Sequence, residues 1–561
     1  MQTARRLYIY AMTGIGLGVL VFGLSTLLTV LFERLGLAPA DGPNFGGADA
    51  TGQQLTLAFA VVTVSLPLWL IHWFVAERGI RPGRPTAEVE RNSVVRGLYF
   101  AITLSLLLVA AATALSGLLQ TTLLTVTGGD TAFRSPAADL AMFIVAGAAW
   151  AYHVALRSRD WAIGPIEGAA AFLPRTYLYT AAFAGLLALT LGIDGLIELV
   201  GRIAIDEPPE FIGDSVGPWW AYSLASALSQ VVVGGAVWLG HSLYAERLRA
   251  DPGWRGRSER PAKVRLAYFV AVITASVIAV AFFLSMGGRA ILGSLLGVSD
   301  ATELGQQAGL VVLPILSAIP FAIAWVMHVR QMHEEAATFD SGDRLRTADR
   351  LALHAPALVG LAYASIGVAW LLALLIDFAA LGGTVLTGDE WRRELAQFLP
   401  LAVVGATIWL WSWTAIRARY ARSPIEEAAS TTRRTTLLLA LAGGVLAGIA
   451  STGVILYRLF GSIFGIEAPA NMLSELSLAI GSVIVATAVA VYHGLALRRD
   501  QALRAGTAPP VAESEPEAQI PAGVILRLLG PHGTNADAAL AVLRERLPEG
   551  YVLEVVPPPG P

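Results

Sequence analysis

No cysteine occurs in the 561 residues of this chain. That excludes disulfides, thiolate metal centres and thiol chemistry. Lysine is nearly missing too: Lys263 is the single one among 39 basic residues, and the arginine excess reads as coding bias. Charge of either sign is scarce, at 14% of residues against about 25% in ordinary soluble domains. Also absent are a phosphate-cradling glycine loop, an HExxH pair and a serine nucleophile constellation. The long apolar runs hold no central carboxylate or arginine of the kind an ion-coupled carrier needs. The chain is therefore not expected to be an enzyme, and no cofactor, metal centre or nucleic-acid partner is expected.

Apolar sequence fills the space instead. Hydrophobic residues make up 55% of the chain, and mean hydropathy is +0.62. Twelve apolar stretches of roughly 19–26 residues are each long enough to cross a hydrocarbon core. They fall in pairs, at about 7–32 and 55–76, 94–120 and 138–157, 176–200 and 219–244. The second group is about 264–296 and 308–330, 351–380 and 396–418, 435–464 and 474–497. The span 264–296 is long, so a tilt or an extra turn near Gly287-Gly288 is expected. The first run resembles a signal peptide in its Arg5-Arg6 opening, but is too long for one and is expected to remain a membrane helix.

Basic residues lie mostly on one side of these spans. On the other side stand only Arg34, Arg134, Arg202, Arg289, Arg392, Arg393 and Arg458. The positive-inside rule then places both termini and the arginine-rich connectors in the cytoplasm of an inner-membrane protein.

The pairs repeat as hairpins of about 85 residues. The first helix opens with arginine and often tyrosine, as in Arg6-Leu7-Tyr8, Arg96 to Tyr99, Arg175 to Tyr177 and Arg265 to Tyr268. Arg350 and Arg434 keep the arginine in the fifth and sixth. The second helix closes with Trp-x-x-His: Trp69 and His72, Trp150 and His153, Trp238 and His241, Trp325 and His328. His493 ends the sixth pair, and the fifth has Trp411-Ser412-Trp413 without histidine. Residues three apart share a helix face, and these lie in the last turns. The expected role is an interfacial anchor, the indole at headgroup depth and the imidazole on a phosphate or a connector. Haem ligation by paired histidines is the sharper alternative.

Other polar positions are few. Asp194, Glu198 and Asp377 sit near span ends, and Gln120, Ser229 and Gln230 read as interhelical hydrogen-bonding residues. Pro67, Pro314, Pro320, Pro356 and Pro400 mark spans that could be irregular. In the connectors, Ser93, Ser258, Ser341, Glu88, Glu167, Glu259 and Glu426 read as helix caps or first-turn residues.

A longer relation is also present. Pro165-Ile166-Glu167 returns as Pro424-Ile425-Glu426, 259 residues on. It predicts two parallel three-hairpin halves, 1–260 and 261–503. An Ala/Pro/Glu linker follows at 504–520, then a small βαβ-like cytoplasmic tail at 521–561. In the tail, Gly530-Pro531-His532-Gly533 reads as a strand-to-helix turn.

Arg5-Arg6-Leu7-Tyr8 and Leu70-Ile71-His72-Trp73 carry a resemblance to a bacterial multi-pass membrane-domain family of unknown function. It covers about 5–500, the fifth hairpin departing most, and implies no activity. The expectation is an all-α integral membrane protein with twelve transmembrane helices and a small α/β tail. Its expected role is a non-catalytic scaffold or accessory subunit, contacting the lipid bilayer and a membrane-protein partner through its cytoplasmic face and tail. A small-solute permease and a haem-binding subunit are the alternatives.

Overall fold

Inside a bilayer no water is present to satisfy peptide groups, so an apolar run of this length is forced into helix. The computed structural model describes residues 2–37, 48–131 except 82 and 85, 134–166, 168–205, 218–299, 304–338, 342–465, 470–507, 542 and 545. Twelve long apolar helices account for most of them. They are α1 Gln2–Phe32, α2 Ala48–Gly79, α3 Val94–Thr127, α4 Pro136–Ile163, α5 Gly168–Ala204 and α6 Trp219–Ala250. The rest are α7 Lys263–Leu295, α8 Leu304–Ala337, α9 Gly342–Leu381, α10 Glu390–Arg422, α11 Thr431–Ile463 and α12 Ser477–Thr507. No strand occurs among the described residues. Apart from residues 542 and 545, both helical, the expected tail at 521–561 with its glycine turn lies outside them, as do Glu167 and Ser341.

The chain is a polytopic membrane protein. Large apolar side chains such as Leu106, Leu446 and Ile449 face outward on these helices, as lipid-facing surfaces require. Contacts separate Met1–Arg504 from Ala505–Pro561 as two compact units. Within the first, α1 packs on α2, α3 on α4, α5 on α6, α7 on α8 and α9 on α10. Glycine sets the closest of these approaches. A Cβ on Gly185 of α5 would stand 2.5 Å from the Trp238 backbone nitrogen of α6, and Gly360 of α9 meets Trp409 of α10 at the same distance. Gly16 of α1 faces Trp69 of α2 in the same way, at 3.1 Å.

Potential helix breakers leave the spans continuous. Pro67, Pro314, Pro320, Pro356 and Pro400 all sit within unbroken helices. α7 runs straight through Gly287 and Gly288, with no extra turn there. A short helix joins α2 to α3 (Ala87–Arg91), α6 to α7 (Trp254–Glu259) and α10 to α11 (Pro424–Ala429). Those three connectors position the groups described next.

Candidate functional site

The arginine-rich ends of the helices hold a layer of buried polar residues, and the signature histidines belong to it. His153 is fully buried, and His328, His493 and His241 are nearly so, while His72 is partly exposed. Each Nδ1 lies 2.7–2.8 Å from the carbonyl oxygen four residues earlier, on Leu68, Ala149, Val237, Ala324 and Val489 in turn. A carbonyl only accepts, so Nδ1 carries the proton and Nε2 is left as an acceptor. The tyrosine opening the preceding helix fills that acceptor. Tyr99 donates to His153 at 2.9 Å, Tyr177 to His241 at 3.0 Å and Tyr268 to His328 at 3.0 Å. Tyr8 reaches His72 more loosely, at 3.4 Å. The two halves of the sequence signature, one on each helix, are therefore hydrogen-bond partners.

This differs from the expected interfacial anchor. The imidazoles point between helices, since a tyrosine at matching depth outcompetes a headgroup that would need the ring in water. The tryptophans are half-buried. Trp150 donates to Tyr177 at 2.7 Å, linking α4 to α5, and Trp325 lies edge-on to Trp411. The signature histidines are distributed one per helix pair. No group of three or more potential metal ligands occurs among the described residues.

A second set of residues, beside the histidines, was not singled out from sequence. Arg96 on α3 donates to Asp160 on α4 at 2.5 and 2.9 Å, to Glu77 on α2 at 2.9 Å and to Tyr10 on α1 at 2.9 Å. One guanidinium thus ties four helices. Arg265 on α7 repeats the arrangement with Glu335 on α8, Glu246 on α6 and Tyr179 on α5. Arg433 on α11 keeps the bond to Asp500 on α12, at 2.7 Å, and stacks on Tyr420 of α10. The acids are readable in hindsight: Asp160, Glu335 and Asp500 each stand seven residues after a signature histidine, and Glu77 and Glu246 five after.

The connectors are fastened by a parallel lock. Arg6 on α1 binds Glu90, Arg175 on α5 binds Glu259, and Arg350 on α9 binds Glu426 and Glu427. Glu426 stands in the first turn of its connector helix, as read from sequence, and also pairs with Arg350; Glu259 closes its connector helix as an ion-pair partner instead of capping it. Ser93 stands at the N-cap of α3 without a side-chain cap bond. The third copy departs from the pattern. Ser412 takes the histidine's place, fully buried with its hydroxyl unpartnered, and Thr436 takes the tyrosine's place in the sequence, its hydroxyl donating to the Thr432 carbonyl.

Deeper in the membrane part, α3 to α6 enclose a cavity of about 500 Å³. Gln120 and Gln230 line it, as does Ser116, which donates to Ser229 at 3.1 Å. Gln120 donates to both serines at 3.1 Å. Of the span-end acids, Glu198 pairs with Arg202 at 2.9 Å and Asp377 accepts from Ser477 at 3.1 Å.

Three stretches, 6–149, 175–326 and 350–488, match a family described as Domain of unknown function (DUF5671). Together they cover well over half the chain, which therefore belongs to that family. No curated protein and no solved structure matches it. Each matched stretch spans four of the twelve long helices, and the first two rounds of arginine clamps tie the same sets of four.

Proposed function

We propose, from that membership and from the clamp layer, that the protein is a non-catalytic scaffold or accessory subunit of a membrane assembly, built from three four-helix units. Each unit is two helical hairpins. The supporting observation is that its most polar residues serve one another. Arg96, only 2% exposed, is matched by Asp160, Glu77 and Tyr10, and four of the signature histidines have both ring nitrogens engaged within the chain. Groups committed in this way hold helices in register. They are not poised for proton transfer, which needs a group free to change partners.

In this reading both termini and the connector helices face the cytoplasm of an inner membrane. The cytoplasmic face and the tail after residue 507 supply the docking surface for a partner, with a small α/β fold in the tail. Haem has no vacant Nε2 at the four tyrosine-bonded histidines. Purification of the full chain from native membranes in mild detergent should bring a stoichiometric partner through size exclusion. Recovery of the chain alone, at native expression and after crosslinking, would sink the scaffold reading. A small-solute facilitator is the second reading, favoured by the cavity among α3 to α6. Solute flux into proteoliposomes of the purified chain would support it.

A further inference from the structure

The cavity among α3, α4, α5 and α6 is graded from one end to the other. At the end remote from the arginine-rich connectors it is lined by Arg134, Asp139, Gln120 and Gln230. Along its length the lining is mostly apolar and small, with Ala112, Ala184, Ala188 and Gly234. The cavity volume, about 500 Å³, lies within the range of about 300–1,000 Å³ typical of pockets for small ligands. At the connector end the floor is Tyr177, whose hydroxyl is already taken by Trp150 and His241.

Charge at the polar end is matched only at a distance: the Arg134 guanidinium attracts the Asp139 carboxylate without contacting it. Among the described residues, neither the Asp139 carboxylate nor the Arg134 guanidinium makes a hydrogen bond or ion pair. Gly117 on α3 leaves the space that the Asp139 carboxylate fills, and any Cβ there would collide with it. Asp139 stands in the first turn of α4 and Arg134 just before it, at the span end where a lipid headgroup would lie.

We propose that this cleft binds a phospholipid with a zwitterionic phosphoethanolamine headgroup. The ammonium pairs with Asp139, the phosphate with Arg134, and one acyl chain lies along the alanine-lined wall. A hydrocarbon would give neither charge a contact partner, and a water-soluble solute would leave the apolar wall uncovered. An anionic lipid would satisfy Arg134 and repel Asp139. Only an amphiphile carrying both charges satisfies the whole lining. Entry is lateral, since Val109 on the rim is 62% exposed on the outward face of α3. The proposal is independent of the scaffold reading.

Full-length protein, purified and delipidated in detergent, is offered phosphatidylethanolamine or phosphatidylglycerol with identical acyl chains. Retained lipid is counted by native mass spectrometry. The wild type should retain phosphatidylethanolamine about tenfold better, the worth of one charge contact of about 1.4 kcal/mol. Asp139→Asn, close to isosteric, should abolish that preference while the protein elutes as before. Arg134→Gln should weaken both lipids. Ala188→Leu, which fills the wall, should exclude both. Equal retention of the two lipids by the wild type overturns the proposal, as does an undiminished preference in Asp139→Asn. Either result marks the bound lipid as ordinary annular lipid. Should Ala188→Leu fail to fold, the Asp139→Asn comparison still decides.

Discussion

Replacing Arg96 with glutamine removes the charge at the centre of the first four-helix clamp. Arg96 is 2% exposed and Asp160 3%, with Glu77 at 17%. After the change, Asp160 faces only Arg159, 3.8 Å away and 53% exposed, a pairing too solvated to replace the buried one. Breaking a buried pair by removing one partner costs about 3–5 kcal/mol, because the remaining charge stays buried. Arg96→Gln should therefore lower stability by about 3–5 kcal/mol. Unfolding with SDS in mixed micelles, followed by tryptophan fluorescence, measures this. The double variant Arg96→Gln, Asp160→Asn removes the orphaned carboxylate and should recover about 1–3 kcal/mol of the loss. A loss below about 1 kcal/mol in the single variant, the range of an exposed pair, would refute the clamp. So would strict additivity in the double variant.

Other outcomes follow from the same geometry. His153→Phe leaves the Tyr99 hydroxyl buried and unpaired, at a cost of about 1–3 kcal/mol, and adding Tyr99→Phe should return part of it in the same SDS titration. Haem-replete cells should yield protein with no Soret band, and the His241→Ala variant should have an unchanged spectrum; a band that His241→Ala removes would revive the haem reading. Because the chain has no cysteine, single cysteines report topology cleanly. Thr384→Cys, on the exposed turn between α9 and α10, should react with an impermeant maleimide from outside intact spheroplasts. Ser423→Cys, on the exposed side of the connector, should react only after lysis. The reverse pattern would invert the proposed orientation. Truncation after Thr507 should leave the membrane part folded and, in the scaffold reading, weaken recovery of the partner in pull-downs.

The helices were legible because a bilayer leaves apolar runs one solution, and the arginine and histidine signature was legible because it recurs at fixed depth. Its partnership was not. Tyr99 and His153 are 54 residues apart, and nothing in a single helix says which tyrosine faces which imidazole. Surface placement of the histidines was inferred from their position in the last turns, a rule for isolated helices that fails where a neighbour covers the face. Arg96 and Asp160 escaped notice because charged residues near span ends ordinarily snorkel, and only packing reveals that these turn inward. The three family matches were hidden by the weaker third copy: Ser412 and Thr436 stand where the other copies have histidine and tyrosine, leaving the 259-residue echo as the louder signal.

The arginine clamps also set an order of events during synthesis. Chains emerge from the amino terminus and domains assemble as they appear. When α3 enters the membrane, Tyr10 and Glu77 are already there to receive Arg96, while Asp160 is still to come, 64 residues later. A half-made unit therefore carries a guanidinium that is held but not yet neutralised on every side, and arrival of α4 completes it. Arg265 meets Tyr179 and Glu246 in the same sequence and waits for Glu335. In this order Arg96 and Arg265 each find their last partner on the helix that follows their own.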